Sequence, residues 1–222
     1  MKLYIPQIDY LVEFKAKTYQ TLVIESPRLL CRILNDIAEQ LQGNEGQIVL
    51  SKDNKVISIE KNIEMISQFI PFEMNKRSLL TKITNHIQQL AIDDKYYLQT
   101  TTLVTEWERL LLNLSMDMIG NLNFTKINIE ALIRASGIEL DETYDNLGEK
   151  LLDYFELVQK YEQRKIFVLV NLRSYMSDSD MLEFLKYVGK RQYYILFIEP
   201  IDYETLPIEE KHIIDAAQCI LC

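Results

Sequence analysis

This sequence predicts an α/β fold on a parallel sheet, interrupted by a helical insertion. Three observations predict it. Ile166 to Val170 is an unbroken apolar run rich in β-branched residues, as expected of a strand covered on both faces. Ser177-Asp178-Ser179-Asp180 supplies side-chain oxygens for the free N–H groups of a helix start, and Leu182, Leu185 and Val188 follow at helical spacing up to Gly189. Tyr193 to Ile198 is a second apolar run, stopped by Glu199-Pro200. Strand, helix and strand within about 35 residues make a βαβ unit and hence a parallel pair.

The remaining elements follow in chain order. Leu3 to Ile5 and Tyr10 to Phe14 read as short strands with Pro6 in the turn, and Thr21 to Glu25 as a third. Ser26-Pro27 starts a helix whose apolar face is Leu29, Leu30, Ile33, Leu34, Ile37 and Leu41, ending at Gly43. Gln47 to Leu50 and Val56 to Ile59 flank Asp53-Asn54, a hairpin pattern. Ile63 to Phe72 is a further apolar segment. The pattern then turns helical: Leu79, Leu80, Ile83, Ile87 and Leu90 on one helix, and Leu103, Trp107, Leu110, Leu111 and Leu114 on a longer one, joined near Asp93-Asp94. A short helix spans Asn128 to Ser136, closed by Gly137, and another runs from about Asp145 to Gln163. Leu206-Pro207 reads as the start of a last helix through Asp215, and Gln218 to Cys222 as a final strand. Strands, then helices, then βαβ place the insertion at 71–142, within an α/β domain of 1–70 and 143–222.

Composition sets the outer limits. The chain has 222 residues, 48% of them hydrophobic, enough for a sizeable core. A formal net charge of -9 argues against unfocused nucleic-acid binding, while a local basic face can coexist with an acidic exterior. MKLYIPQIDY lacks the order of a signal peptide, no apolar run reaches membrane-spanning length, and three cysteines fit a reduced compartment, so a cytoplasmic protein is expected.

Catalytic chemistry finds little footing. Nucleotide hydrolysis needs a G-x-x-x-x-G-K-[ST] loop and a magnesium-holding carboxylate. Gly189-Lys190 closes a helix instead of opening one, and the strand to Val170 is followed by Asn171 in place of Asp. Cys219-x-x-Cys222 is half a zinc site, and Cys31, His86 and His212 do not group with it by spacing. Asp141, Glu142, Asp145 and Glu149 lead into a helix, where carboxylates serve the dipole, with a hard-cation site as the alternative. Arg28, Arg32, Lys126, Arg134 and Lys150 are scattered through the helical parts and, by themselves, read as solvated charges.

Three segments together carry a resemblance. Tyr161, Arg164-Lys165, Ile166 to Asn171, Ser177 to Asp180 and Leu196-Phe197-Ile198-Glu199-Pro200 form the first; IEALIRASGIEL (129–140) is the second; IPFEMN (70–75), followed by Leu79-Leu80-Thr81-Lys82-Ile83, is the third. In order and spacing they resemble the short form of the Csn-two family, the accessory adaptation protein of type II-A CRISPR systems. The resemblance implies a head with a degenerate P-loop-NTPase-like parallel sheet and an inserted α-helical leg. It implies no catalysis, and a homotetrameric ring that takes double-stranded DNA by its ends in a basic hole, alongside the CRISPR integrase subunits and the effector nuclease in spacer acquisition. Arg134 and Lys150 fall where the family has lysines facing the hole, and Arg32 matches a third basic position; Arg28 and Lys126 are our additions.

The family also carries a calcium-holding acidic run after the long leg helix. Here that stretch is 117–126, in which Asp117 is the one carboxylate, Asn121 and Asn123 offer neutral oxygens, and Lys126 replaces an acid. Calcium takes six to eight oxygens, several of them charged, so a ring with weak or no calcium is expected. Two other readings stand beside the DNA ring. One is a protein–protein interaction module on a dead nucleotide-binding fold; the other is a metal-dependent nuclease, which needs clustered carboxylates.

Overall fold

The structure, a computed structural model, describes all residues except 16, 17, 121, 192, 218, 219 and 222, with the side chains of 220 and 221 also left aside. Its contacts divide the chain into two units, Met1–Glu73 with Glu142–Cys222, and Met74–Asp141.

In the first unit the described residues form two sheets. The six-stranded sheet contains β3 (Tyr19–Ile24), β6 (Ile63–Ile66), β7 (Ile166–Val170), β8 (Tyr194–Glu199), β9 (Glu209–Ile214) and β10 (Ile220–Leu221). Their order is β10-β9-β3-β8-β7-β6. All neighbours are parallel except β10, which runs against β9. The four-stranded sheet is antiparallel, with β1 (Lys2–Ile5), β2 (Tyr10–Glu13), β4 (Val49–Lys52) and β5 (Lys55–Ile57) in the order β2-β1-β4-β5. The predicted parallel pairing of Ile166–Val170 with the run ending at Glu199 is thus found, with Val168 opposite Leu196.

Alternation along β7 decides the layers. Ile166, Val168 and Val170 join Leu196 and Ile198 in a core with Leu29, Ile33 and Ile37 of α1 (Pro27–Leu41) and with Leu3, Ile5 and Leu50 of the small sheet. Phe167 points the other way and stacks on Phe155 of α6 (Leu147–Glu162), centroids 3.9 Å apart. Phe184 of α7 (Asp178–Val188) and Tyr193 complete that aromatic cluster edge-on. Successive side chains of a strand face opposite sides, so a continuous apolar strand requires a layer on each.

Local chemistry sets the ends. Asp53 and Asn54 both take positive φ, as a two-residue type I′ turn demands, and join β4 to β5. Gly46 sits where an added Cβ would lie 2.4 Å from Asp36 Oδ1 and Gln40 Cγ, so the backbone can reach the Asp36 carboxylate through the Gln47 N–H at 3.1 Å. Ser177 and Asp180 form a reciprocal capping box on α7. Gly189 follows α7 with a right-handed φ of -63°. Close approach is its physical role, because a Cβ there would come within 3.0 Å of the Tyr19 hydroxyl, which donates to Leu185 O.

Two expectations fail. Ser58 caps a single helical turn, α2 (Ile59–Asn62), where a strand through Ile59 was expected. The helix expected from Leu206 to Asp215 is β9, a strand. Ile208 adopts φ +69° and the Glu209 carboxylate accepts the Leu206 N–H at 2.6 Å, which turns the chain after Pro207 in place of starting a helix. Glu209 and Glu210 then extend beside β3, accepting from Thr21 Oγ1 and Gln20 Nε2 at 2.5 and 2.8 Å. Tertiary partners for polar side chains override a local helix signal. The expected terminal strand is seen at Ile220–Leu221; Gln218, Cys219 and Cys222 lie outside the described residues.

Glu199 ends β8 with 1% of its surface exposed. Burial pushes its carboxyl up to about 7, against the opposing pull of Arg173, whose backbone N–H donates to it at 3.2 Å. The native state therefore holds this proton at pH values where the unfolded chain has released it. Stability from this group is present below pH 4.5 and lost as the pH rises to about 7, a contribution of about 3 kcal/mol. Urea melts across this window should show Glu199→Gln gaining on the unmodified chain as the pH rises; parallel stability profiles would refute the assignment.

Candidate nucleic-acid interface

The second unit holds the predicted helical hairpin, α3 (Arg77–Ile92) and α4 (Tyr97–Met116), and the short α5 (Ile129–Ala135) capped by Asn128. Asn75 ties its ends together. Its amide donates to Leu140 O at 3.1 Å and accepts the Leu140 N–H at 2.7 Å. A second tie links Gln88 Nε2 to Glu130 O at 3.3 Å. These bonds lay α5 and the segment after it along α3. Gly137 turns the chain out of α5 with φ +63°.

Between α3 and α5 lies a groove of about 510 Å³, lined by Arg77, Thr81, Thr84 and Asn85 on one side and by Ile133, Arg134, Gly137 and Ile138 on the other. Arg77, Thr81 and Asn85 share one face of α3 by their spacing. Among the described residues no carboxylate lines the groove, and its two arginines give it two formal positive charges. Arg77 and Arg134 are both exposed, and neither forms an ion pair among the described residues.

The other basic residues expected at the site divide into three situations. Arg28 and Arg32 lie one turn apart on the exposed side of α1, in the first unit, and are unpaired among the described residues. Lys126 is exposed in the segment between α4 and α5. Lys150 is different. Its ammonium pairs with Glu142 at 2.6 Å, donates to Phe72 O and lies over the Phe72 ring, with 16% of the side chain exposed. Its charge is already met inside the first unit. Arg164, from the motif's basic pair, bridges Glu64 and Glu162 beside Tyr154, another internal role.

Asp117 and Asn123 are exposed, and Asn121 is outside the described residues. Among the described residues no three His, Cys, Asp or Glu side chains converge as an ion would need. One carboxylate and a lysine in 117–126 do not fit calcium. Of the acidic stretch before α6, Glu142 serves Lys150 and Glu149 sits in the first helical turn.

In open parallel sheets ligands bind at the carboxyl ends of the strands, where the order reverses. Counted along the chain, the five parallel strands lie in the order fifth, first, fourth, third, second, so the reversal is at β3. There Glu25-Ser26 leads straight into Pro27, with no glycine and one N–H fewer at the helix start. Asn171, at the end of β7, has φ +59°, a backbone state that Asn tolerates well, and its side chain accepts from Ser174 Oγ at 2.6 Å.

Fold and site together define an α/β protein whose sheet lacks a glycine-rich phosphate loop and whose unpaired arginines lie on helices. The chain belongs to the CRISPR-associated Csn2 family: the family model described as CRISPR-associated protein (Cas_Csn2) matches residues 40–217. It is similar to the CRISPR-associated protein Csn2 of Streptococcus agalactiae, 24% identical over 95 residues, which is 43% of this chain and 42% of that relative. The Csn2 of Enterococcus faecalis is 22% identical over 73 residues, a third of each chain. Both alignments thus span less than half of the curated relatives' length. The fold resembles the crystal structure of Stu0660 of Streptococcus thermophilus, with a TM-score of 0.58 at 13% identity, covering 96% of this chain and 74% of that one. Among the described residues no helix is long and apolar enough to cross a membrane.

Sequence reading missed Arg77. Its signal is positional: the first residue of α3 and the last turn of α5 come together only once Asn75 has fixed Leu140. Asn75→Ala should destabilise the second unit by about 1–3 kcal/mol, since two part-buried groups of Leu140 lose their partner. Hydrogen exchange localised to 129–141 reads this, and unchanged protection there would count against it. Lys150→Ala should act on stability, removing the ammonium that pairs with Glu142 and donates to Phe72 O, and should leave the salt dependence of any DNA binding unchanged. Denaturation and binding titrations on the same variant separate the two effects.

Proposed function

We propose that this chain is a non-catalytic protein that binds double-stranded DNA through free ends, as a homotetrameric ring, in spacer acquisition by a type II-A CRISPR system. The observation that carries this reading is the acid-free groove with Arg77 and Arg134, on a chain whose net charge is -9. Phosphates are held by unpaired cations regardless of base sequence, and each one neutralised releases counterions. Cations gathered locally on an acidic protein suit a ring whose lumen is basic and whose outer wall is not. The exposed pair Arg28 and Arg32 adds a second such face. The degenerate P-loop-like character of the head is supported by the strand order and by the Glu25-Ser26-Pro27 connection, which has no phosphate loop.

Self-association has its own support. α4 has no buried residue, and Leu98, Leu103, Trp107, Leu110 and Leu114 on it are 44–76% exposed. An apolar surface of this extent fits an interface, and the ring reading assigns it to further copies of this chain. The integrase subunits and the effector nuclease are the partners the reading implies.

A gel shift on linear and covalently closed duplex of one sequence, alongside the native mass, tests the reading. A tetramer that shifts only linear DNA is expected. A defined oligomer that shifts neither form would leave the interaction-module reading standing. Arg77→Ala with Arg134→Ala should lower affinity and flatten the plot of log affinity against log salt by about 1–2. An unchanged slope would remove the groove from the interface.

A further inference from the structure

We infer that the groove between α3 and α5 takes a phosphate monoester, the terminal phosphate of a DNA end, in preference to an internal phosphodiester. This inference rests on the DNA reading and goes one step further, to the chemical group recognised.

Charge balance is the first argument. Two exposed, unpaired guanidinium groups line one groove, and no acid lines it with them. An internal phosphodiester carries one negative charge and leaves one of these cations unmatched. A monoester carries about -1.5 to -2 at neutral pH and matches both. The donor set is the second argument. A diester offers two unesterified oxygens and a monoester three, and guanidinium donors meet such oxygens in pairs. The Thr84 hydroxyl and the Asn85 amide line the same wall as Arg77 and add neutral donors. The Thr81 hydroxyl is already spent on Arg77 O at 2.7 Å and is not counted. Geometry is the third. No side chain caps the N-terminus of α3, next to Arg77, so N–H groups remain available beside the guanidinium. At about 510 Å³ the groove lies within the range of small-molecule sites, roughly 300–1,000 Å³, with room for a terminal nucleotide beyond its phosphate.

The test uses the full chain and one linear duplex prepared with 5′-phosphate, 3′-phosphate or hydroxyl ends, with affinity read by anisotropy at fixed salt. A phosphorylated end should bind about tenfold more tightly than a hydroxyl end. Arg77→Ala and Arg134→Ala should each erase that ratio, and Arg134→Lys, which keeps the charge but not the fork, should reduce it. Inorganic phosphate at millimolar concentration should compete with phosphorylated ends and leave hydroxyl-ended duplex bound. Equal affinity for all ends, with binding intact, overturns this inference and leaves the DNA reading in place. An end preference that survives both arginine substitutions overturns the groove as its seat. Failure to bind any duplex overturns the inference together with the reading beneath it.

Discussion

Burial of the central strands on both faces is the constraint from which the rest of the head follows. β7 is apolar throughout, β7 and β3 are buried at every residue, and β8 at every residue except Tyr194. Such strands need cover on two sides. α1 and the small antiparallel sheet supply one layer, α6 and α7 the other. Loops at the strand ends then carry what chemistry a parallel sheet has. In this chain the loop at the order reversal is closed by Ser26-Pro27. The exposed arginines without a carboxylate partner among the described residues lie instead on helices, at Arg28, Arg32, Arg77 and Arg134.

A division of labour among the basic residues results. Arg164, Arg173 and Lys150 are tied to carboxylates within the first unit. Arg28, Arg32, Arg77 and Arg134 are exposed and unpaired among the described residues. The distinction is energetic. A cation already desolvated beside a carboxylate has little to gain from a phosphate, whereas an exposed arginine gives up only water and screened counterions. Position in a family motif does not separate the two kinds; the partner does.

Legibility in the sequence tracked the range of the causes. The βαβ unit, the type I′ hairpin at Asp53-Asn54 and the helical hairpin were legible because their signals are local: apolar period, capping oxygens, turn residues. β9 was not. Leu206-Pro207 imitates a helix start, and what makes the segment a strand is Thr21 and Gln20 receiving its glutamates from a distant part of the chain. Lys150 read as a surface charge because Glu142 and Phe72 come to it only in three dimensions. Arg77 went unremarked for the same reason: its groove exists once α5 is laid along α3.

The division of the first unit into residues 1–73 and 142–222 also governs the order of assembly during synthesis. β3 and β6 emerge early, but their neighbours β8 and β7 lie beyond the second unit in the chain. The central sheet must wait for loop closure across the whole of 74–141, a long-range pairing of the slow kind. The second unit is contiguous and closes on local contacts, with Asn75 and Leu140 near its two ends. Once formed, it holds Asn75 to Leu140, two positions 65 residues apart, and a fixed pair within the insertion shortens the effective loop that the sheet must close. An insertion that closes on itself is expected to ease the closure of the domain it interrupts.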